Sequence, residues 1–145
     1  MAKRSQAREV AFQVLYQDDL NPRNNPAITD AFIEEQLGGG ELVEFARSLV
    51  AGARRNRAQI DALLGETAEH WTLDRMAATD RNVLRLAAFE LLHTDTPRAV
   101  VIDEAVELAR RFGTAQSGQF VNGILDRLAP PETRAADRAG ARLTE

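Results

Sequence analysis

The amino-acid sequence predicts an all-α protein, and three observations support that prediction. Alanine, leucine, arginine and glutamate, which favour helices, are abundant among the 145 residues. Aromatic residues make up only 6% of the chain, and no segment alternates apolar and polar residues as a half-buried strand does. Apolar residues recur instead at spacings of three and four. The length is that of a single domain, so we expect a compact domain of about seven helices around one core.

The first predicted helix runs from about residue 3 to residue 19. Its apolar stripe consists of Ala7, Val10, Ala11, Phe12, Val14, Leu15 and Tyr16. Two Asn-Pro pairs then interrupt the chain. We expect a shorter helix from Asp30 to Leu37, with Thr29 as its N-cap and the three glycines at 38–40 at its end.

The longest predicted helix starts near Glu41 and closes at Gly65. Gly52 lies inside it, at a cost of about 1 kcal/mol relative to alanine. A short helical piece follows at residues 71–76. We then expect Thr79 to cap a helix that buries Val83, Leu84, Ala87, Ala88, Leu91 and Leu92.

Two further helices complete the predicted domain. One follows Pro97, buries a stripe that ends at Phe112, and stops at Gly113. The other spans about residues 115–129. We place the helical domain at residues 1–129 and expect residues 130–145, which begin with two prolines and are otherwise polar and alanine-rich, to form a disordered tail.

Composition excludes several classes of function. The chain has no cysteine, so disulfides and thiolate metal sites are excluded, and its two histidines have no partners at metal-ligand spacing. We find no phosphate-binding glycine loop and no nucleophile elbow, so we expect no catalytic residues, no metal and no cofactor. No apolar run is long enough to span a membrane, and no secretory signal precedes the first helix. These features together predict a cytoplasmic protein that is not an enzyme.

A local positive charge at the N-terminus is the first candidate binding feature. Lys3 and Arg4 lie one helical turn before Arg8, although the chain as a whole carries a net charge of −4. Cations at the start of a helix oppose the helix dipole, so stability does not explain them. They suit the phosphates of a nucleic acid. The alternative interpretation is a solvated helix start.

The final predicted helix carries the second candidate. At about 100° per residue, its polar side chains Gln119 and Asn122 share one face with Gly123, and Phe120 lies at the edge of that face. Amides donate and accept hydrogen bonds, as the edges of unpaired bases require, and a ring can stack on a base. The alternative, that Phe120 belongs to the core and the amides are merely solvated, stays open on this evidence.

A group of acidic residues forms the third candidate. Glu66, Glu69, Asp74 and Asp80 surround the middle connection of the chain. Carboxylates at helix starts are often simple capping groups, but they can also dock a basic partner. In contrast, the arginines between residues 54 and 57 point to all sides of one helix and indicate a solvated, salt-bridged surface.

Three stretches of the sequence resemble the NusB family of bacterial transcription antitermination factors. They are residues 7–16 in the first helix, residues 83–91 with the pattern VLRLAAFEL, and residues 101–126, which run from VIDEAVELA through FG to FVNGILD. The resemblance covers roughly residues 3–129 and implies an all-helical fold of two small bundles without catalysis. It further implies binding of boxA RNA together with the small-subunit ribosomal protein NusE, in a complex with other Nus factors on RNA polymerase that supports transcription of ribosomal RNA operons.

The resemblance also assigns residues to the two partners. For RNA it implies the basic N-terminal arm and the start of the last helix, here Lys3, Arg4, Arg8, Gln116, Ser117, Gln119 and Phe120, to which the amide argument adds Asn122. For NusE it implies the acidic middle region, with Asp80 the best-matched position. We expect the arm and the last helix to meet on one surface, and three engaged cations to give a slope of log K against log salt of about −2.

Two departures from the family pattern lower the positive charge of this surface. Ser5 and Gln6 stand where relatives often carry arginine, and Gln119 stands where a cation is common. We therefore expect weak RNA binding by the chain alone. Two alternatives remain open: a scaffold protein that forms a homodimer covering the basic arm, and an RNA-modifying enzyme, which is disfavoured because no cofactor-binding domain follows residue 131.

Overall fold

The computed structural model describes residues 3–129 and contains seven α-helices within that range. Their bounds are α1 Lys3–Leu20, α2 Pro26–Leu37, α3 Gly40–Arg55, α4 Arg57–Thr67, α5 Ala78–His93, α6 Arg98–Phe112 and α7 Ser117–Leu128, with a short 3₁₀ helix at Leu73–Arg75 between α4 and α5. No strand occurs among these residues. The all-α prediction is therefore confirmed. The predicted tail at 130–145 lies outside the described residues.

Helix α5 lies at the centre of the fold. Every residue from Asn82 to Leu91 is buried, because α1, α3, α4, α6 and α7 all pack against it. Helices α1, α2 and α3 also contact one another, while α4 and α6 both contact α7. The fold thus has an N-terminal group of three helices and a C-terminal group of four, as the two small bundles of the family predict.

Helix α2 begins four residues earlier than expected. Pro26 occupies its first turn, and the side chain of Asn25 accepts a hydrogen bond from the backbone N–H of Ala27 at 3.0 Å. Proline suits this position because the first N–H groups of a helix have no partner inside the helix. The prediction that Thr29 is the N-cap was wrong: its hydroxyl lies inside the helix and donates to the carbonyl of Pro26. At the other end, Gly38 adopts φ +76° and ends the helix as predicted.

The predicted long helix is divided into α3 and α4 at Asn56. The side chain of Asn56 donates to the carbonyl of Gly52 at 2.8 Å, and this local bond competes with continuation of the helix. The prediction that Thr79 caps α5 was also wrong, since the N-cap is Ala77, two residues earlier, and the helix begins at Ala78. Leu92, expected inside, is 39% exposed.

Side-chain contacts link helices α1 and α6. Ser5 donates a hydrogen bond to Glu104, Glu9 pairs with Arg111, and the ring of Phe12 lies 5.2 Å from that of Phe112. On its other flank, α6 packs antiparallel to α7, where Arg98 pairs with Asp126. Helix α6 therefore separates the start of α1 from α7.

Candidate nucleic-acid interface

The basic arm at the start of α1 is partly exposed. Lys3 and Arg4 both face solvent. The Cζ atom of Arg4 lies 4.6 Å from the ring centroid of Phe45 on α3, which is a cation–π contact that limits where this guanidinium can point. Because Ser5 is bonded to Glu104, the arm is held between α3 and α6. Two cations are thus presented at this edge of the described domain.

Arg8 does not belong to that surface, and its prediction as a phosphate contact was wrong. The residue is only 4% exposed, and its Nε and Nη2 atoms donate to the two carboxylate oxygens of Glu90 at 2.8 and 2.7 Å. A second carboxylate is also near, since Oε1 of Glu104 lies 3.6 Å from Nη1 of Arg8. Burial by itself lowers the pKa of this guanidinium. The hydrogen bond and charge of Glu90 and the charge of Glu104 outweigh burial, so the pKa is raised overall. A phosphate cannot reach a guanidinium that is already paired inside the fold.

A signal for this outcome was present in the sequence. Glu90 falls within the apolar stripe of the helix that buries Leu91, and a buried carboxylate requires a cationic partner. Which of the many arginines would supply the partner depends on how α1 packs on α5. That information is not local in sequence.

The N-terminal half of α7, together with its N-cap Gln116, presents three of the predicted RNA-binding side chains to solvent. Gln116, Gln119 and Asn122 are exposed. Ser117, in contrast, is 2% exposed, and its hydroxyl accepts a hydrogen bond from the backbone N–H of Thr114 at 2.9 Å. The prediction that Ser117 contacts RNA was therefore wrong, because this hydroxyl closes the turn between α6 and α7.

Phe120 is half-buried, so neither interpretation made from the sequence describes it fully. Its ring packs against the core and meets the ring of Trp71 edge-on, with centroids 6.0 Å apart and an interplanar angle of 80°. Trp71 is 50% exposed. The sequence analysis assigned it no role, although a tryptophan in a polar connection is itself a signal of a surface contact. The exposed part of this aromatic pair is the area on which a base could stack.

The arm and the last helix lie on opposite flanks of α6. The arm is tied to α6 through Ser5 and Glu104, whereas Gln119 and Asn122 line a groove between α6 and α7. Phe120 is turned from this groove toward Trp71. A ligand that touches both the arm and the amides would therefore cross the exposed surface of α6. The arm and the last helix therefore do not form the one compact surface expected from the sequence. They are the two ends of an extended path across α1, α6 and α7.

Three of the four predicted partner-binding acids are exposed. Glu66 and Glu69 lie at and just beyond the end of α4, and Asp74 lies in the 3₁₀ helix. A hydrogen bond from the Thr72 hydroxyl, more than any other contact, lowers the pKa of Asp74. Asp80 is half-buried in the first turn of α5, and its Oδ1 atom is buried without a hydrogen-bond partner among the described residues.

An apolar pocket of about 600 Å³ opens beside the N-terminus of α5. Thr79, which directly precedes Asp80, contributes to its wall. Most of the remaining wall comes from α1 and α2, including Phe12, Tyr16, Ile28 and Phe32. Ile28 is among the most exposed large apolar residues of the described range. The sequence analysis missed this pocket because its wall is assembled from segments far apart in sequence.

The described residues form neither a metal cluster nor a membrane span. Among residues 3–129, no group of three or more histidine, aspartate or glutamate side chains could hold a metal ion. None of the helices described is both long enough and apolar enough to cross a membrane.

The sequence is similar to that of a known protein family over most of its length. The model of the NusB family matches residues 5–130. The transcription antitermination protein NusB of Anaeromyxobacter sp. (strain Fw109-5) is 44% identical over 140 residues, which cover 94% of this chain and 98% of the relative. The protein of the same name from Sorangium cellulosum (strain So ce56) is 43% identical over 130 residues, covering 89% of this chain and 93% of the relative.

Solved structures of NusB proteins are similar to the fold of this chain. NusB of T. maritima superposes with a TM-score of 0.80 at 38% identity, covering 94% of this chain and 98% of that one. A chain in a crystal structure of the antitermination factors NusB and NusE in complex with dsRNA gives a TM-score of 0.79 at 31% identity, covering 88% of this chain and 96% of that one.

Proposed function

This chain belongs to the NusB family, and from that premise we propose that it is a transcription antitermination factor that binds boxA RNA together with NusE. In this proposal it joins other Nus factors on RNA polymerase and supports transcription of ribosomal RNA operons. It acts in the cytoplasm by binding alone, without a catalytic step. The observation that supports the proposal most strongly is the solved NusB–NusE complex with RNA, whose chain shares this fold over 88% of the present sequence.

The proposed RNA surface runs from the arm across α6 to the start of α7. Lys3 and Arg4 contact phosphates, since they are the exposed cations at the start of α1. Gln116, Gln119 and Asn122 contact bases or backbone through amides that both donate and accept. The exposed edge of Phe120, with Trp71 beside it, offers a stacking surface.

The proposed surface for NusE lies around Asp80. Asp80 is half-buried in the first turn of α5, and its carboxylate suits a charged donor from a basic partner. The adjacent apolar pocket accepts an apolar side chain from the same partner, because interfaces combine a buried apolar centre with polar groups at the rim. Glu66, Glu69 and Asp74 add negative charge that speeds the approach of a basic protein.

A binding titration tests the proposal. Fluorescence anisotropy of labelled boxA RNA is measured with this chain alone, with NusE alone, and with both. With only two exposed cations in the arm, we expect weak binding by the chain alone and an affinity at least about tenfold higher with both proteins. Affinity that does not rise when the two proteins are combined would contradict the proposal, as would tight binding by the chain alone.

Matched charge reversals locate the partner surface. Asp80→Lys is expected to abolish the gain that NusE provides, because it places a cation against a basic partner. Asp95→Lys, which makes the same charge change at an exposed position beyond the C-terminal end of α5, serves as the control and is expected to keep the gain. Circular dichroism confirms that both variants are folded.

A further inference from the structure

The groove between α6 and α7 has a volume of about 570 Å³ and a polar wall. Three charged side chains of α6 form one side, and two amides of α7 form the other; they are Asp103, Glu107, Arg110, Gln119 and Asn122. Val106 and Gly118 complete the lining. The α6 residues recur at spacings of three and four, so one helix face supplies them all.

The charged groups of this groove are not paired with one another. Most arginines of the described chain form ion pairs, as Arg47 does with three different carboxylates. Within residues 3–129, however, Asp103, Glu107 and Arg110 make neither an ion pair within 4.0 Å nor a side-chain hydrogen bond. Their donors and acceptors are therefore available to a ligand in the groove.

Gly118 allows the side chain of Arg110 to lie close against α7. A Cβ atom at this position would lie 3.1 Å from Cγ of Arg110 and 3.5 Å from Cγ1 of Val106. A side chain at this position would therefore displace the side chain of Arg110. The glycine thus allows the guanidinium of Arg110 to lie against the α7 wall of the groove.

The chemistry of the wall favours a base over the RNA backbone. Two carboxylates only accept hydrogen bonds and repel phosphate. Guanine carries two neighbouring donors, N1–H and N2–H₂, which one carboxylate can bind with both oxygens, and its O6 and N7 atoms accept from a guanidinium or an amide. The corresponding edges of adenine, cytosine and uracil place only one donor group beside acceptors, so a carboxylate fits them less well.

We propose that this groove is a base-specific pocket for one unpaired guanine of the bound RNA, with Glu107 as the residue that determines specificity. Glu107 lies between Asp103 and Arg110 on the α6 face, so its carboxylate holds the N1–H and N2–H₂ groups while Arg110 or Gln119 donates to O6 and N7. The phosphates then face away from the carboxylates, toward the arm on the other flank of α6. This inference rests on the proposed RNA-binding function and extends it to sequence readout.

The test compares single-stranded RNA 12-mers at low salt by fluorescence anisotropy with the full chain. One oligomer contains only uridine, a second has one central guanosine, and a third has inosine there, which lacks the N2 amine. We expect the guanosine oligomer to bind about tenfold more tightly than the other two, as one good bidentate base contact provides. Glu107→Gln is expected to reduce this preference below about threefold.

Controls separate readout from charge and from shape. Glu35→Gln makes the same charge change on α2 and is expected to keep the preference. Gly118→Ala leaves the charge unchanged. It is expected to weaken binding of the guanosine oligomer without changing binding of the other two oligomers. Equal binding of all three oligomers, no measurable binding of any of them, or a preference that survives Glu107→Gln would overturn the guanine pocket. Failure of boxA RNA to bind even in the presence of NusE would instead overturn the proposed function itself.

Discussion

Arg8 and Glu90 show what single residues contribute to this protein. Both are buried, and two hydrogen bonds join them between α1 and α5. The interaction fixes the position of α1, and hence of the arm that precedes Arg8. The sequence shows the spacing of Lys3, Arg4 and Arg8. It does not show that Arg8 is buried while Lys3 and Arg4 are exposed. The distinction depends on a partner 82 positions away.

Arg8→Ala is expected to destabilise the protein by about 3–5 kcal/mol, because it leaves the carboxylate of Glu90 buried without its partner. Urea unfolding followed by circular dichroism measures the change. Lys3→Ala, which removes an exposed cation of the same arm, is expected to change stability by less than about 0.5 kcal/mol. A similar small effect for Arg8→Ala would show that the buried pair does not stabilise the fold.

At the scale of helices, the apolar spacing predicted where most elements lie, because a buried stripe is a property of local sequence. Boundaries set by side-chain hydrogen bonds, such as the caps at Asn25 and the break at Asn56, were displaced or missed. The interpretation of Gly52 was incomplete as well. A Cβ atom there would lie 2.0 Å from the ring of Phe89, so this glycine allows α3 to approach α5 closely.

Gly52→Ala is accordingly expected to destabilise the protein by about 1–3 kcal/mol, the usual cost of overpacking, although alanine is the better helix former. Thermal unfolding provides the measurement. The matched control is Gly65→Ala, since a Cβ at that helical position meets no atom within 4 Å. We expect it to be neutral or stabilising. Equal effects at the two glycines would rule out close packing as the reason for Gly52.

Asp19 joins the end of α1 to α5 through Arg81, Asn82 and Arg85. Burial raises the pKa of this carboxyl, but hydrogen bonds from those three residues outweigh burial and lower it overall. A lowered pKa in the folded state means that the interaction contributes its full stability above the unfolded pKa of about 3.9, and loses it as the pH falls through the folded value.

Asp19→Asn should therefore destabilise the protein at pH 7 by about 3 kcal/mol, as expected for breaking a buried pair. Unfolding free energies measured from pH 7 to pH 2.5 are expected to show a constant difference from the unmodified protein down to about pH 5. The difference should then shrink toward lower pH. A difference that stayed constant to pH 2.5 would show that the charge of Asp19 is not responsible.

At the scale of the whole molecule, the number of exposed cations sets the salt dependence of RNA binding. Since Arg8 is buried, the arm offers Lys3 and Arg4 to phosphates rather than three cations. For single-stranded RNA and the chain alone, we now expect a slope of log K against log salt of about −1.4 instead of about −2. Anisotropy titrations between 50 and about 200 mM salt give the slope. The double variant Lys3→Ala/Arg4→Ala should remove most of this salt dependence. An unchanged slope would exclude the arm from the interface.

The sequence predicted the class of fold and most of the candidate RNA residues, because helical periodicity and the resemblance both act through local patterns. It did not predict the groove between α6 and α7, the position of Trp71 beside Phe120, or the apolar pocket near Asp80. Each of these is assembled from segments that are distant in sequence. Their composition depends on which helix faces meet in three dimensions.

The central claim is that RNA follows one path from the arm, across α6, to the start of α7. Titration of the ¹⁵N-labelled full chain with boxA RNA, followed by amide and side-chain NMR signals, tests it directly. We expect the largest shifts at Lys3, Arg4, Glu107, Gln119 and Asn122, and little change at Ile28 and Phe32 in the apolar pocket. Shifts concentrated in that pocket, with the arm and α7 unaffected, would contradict the account.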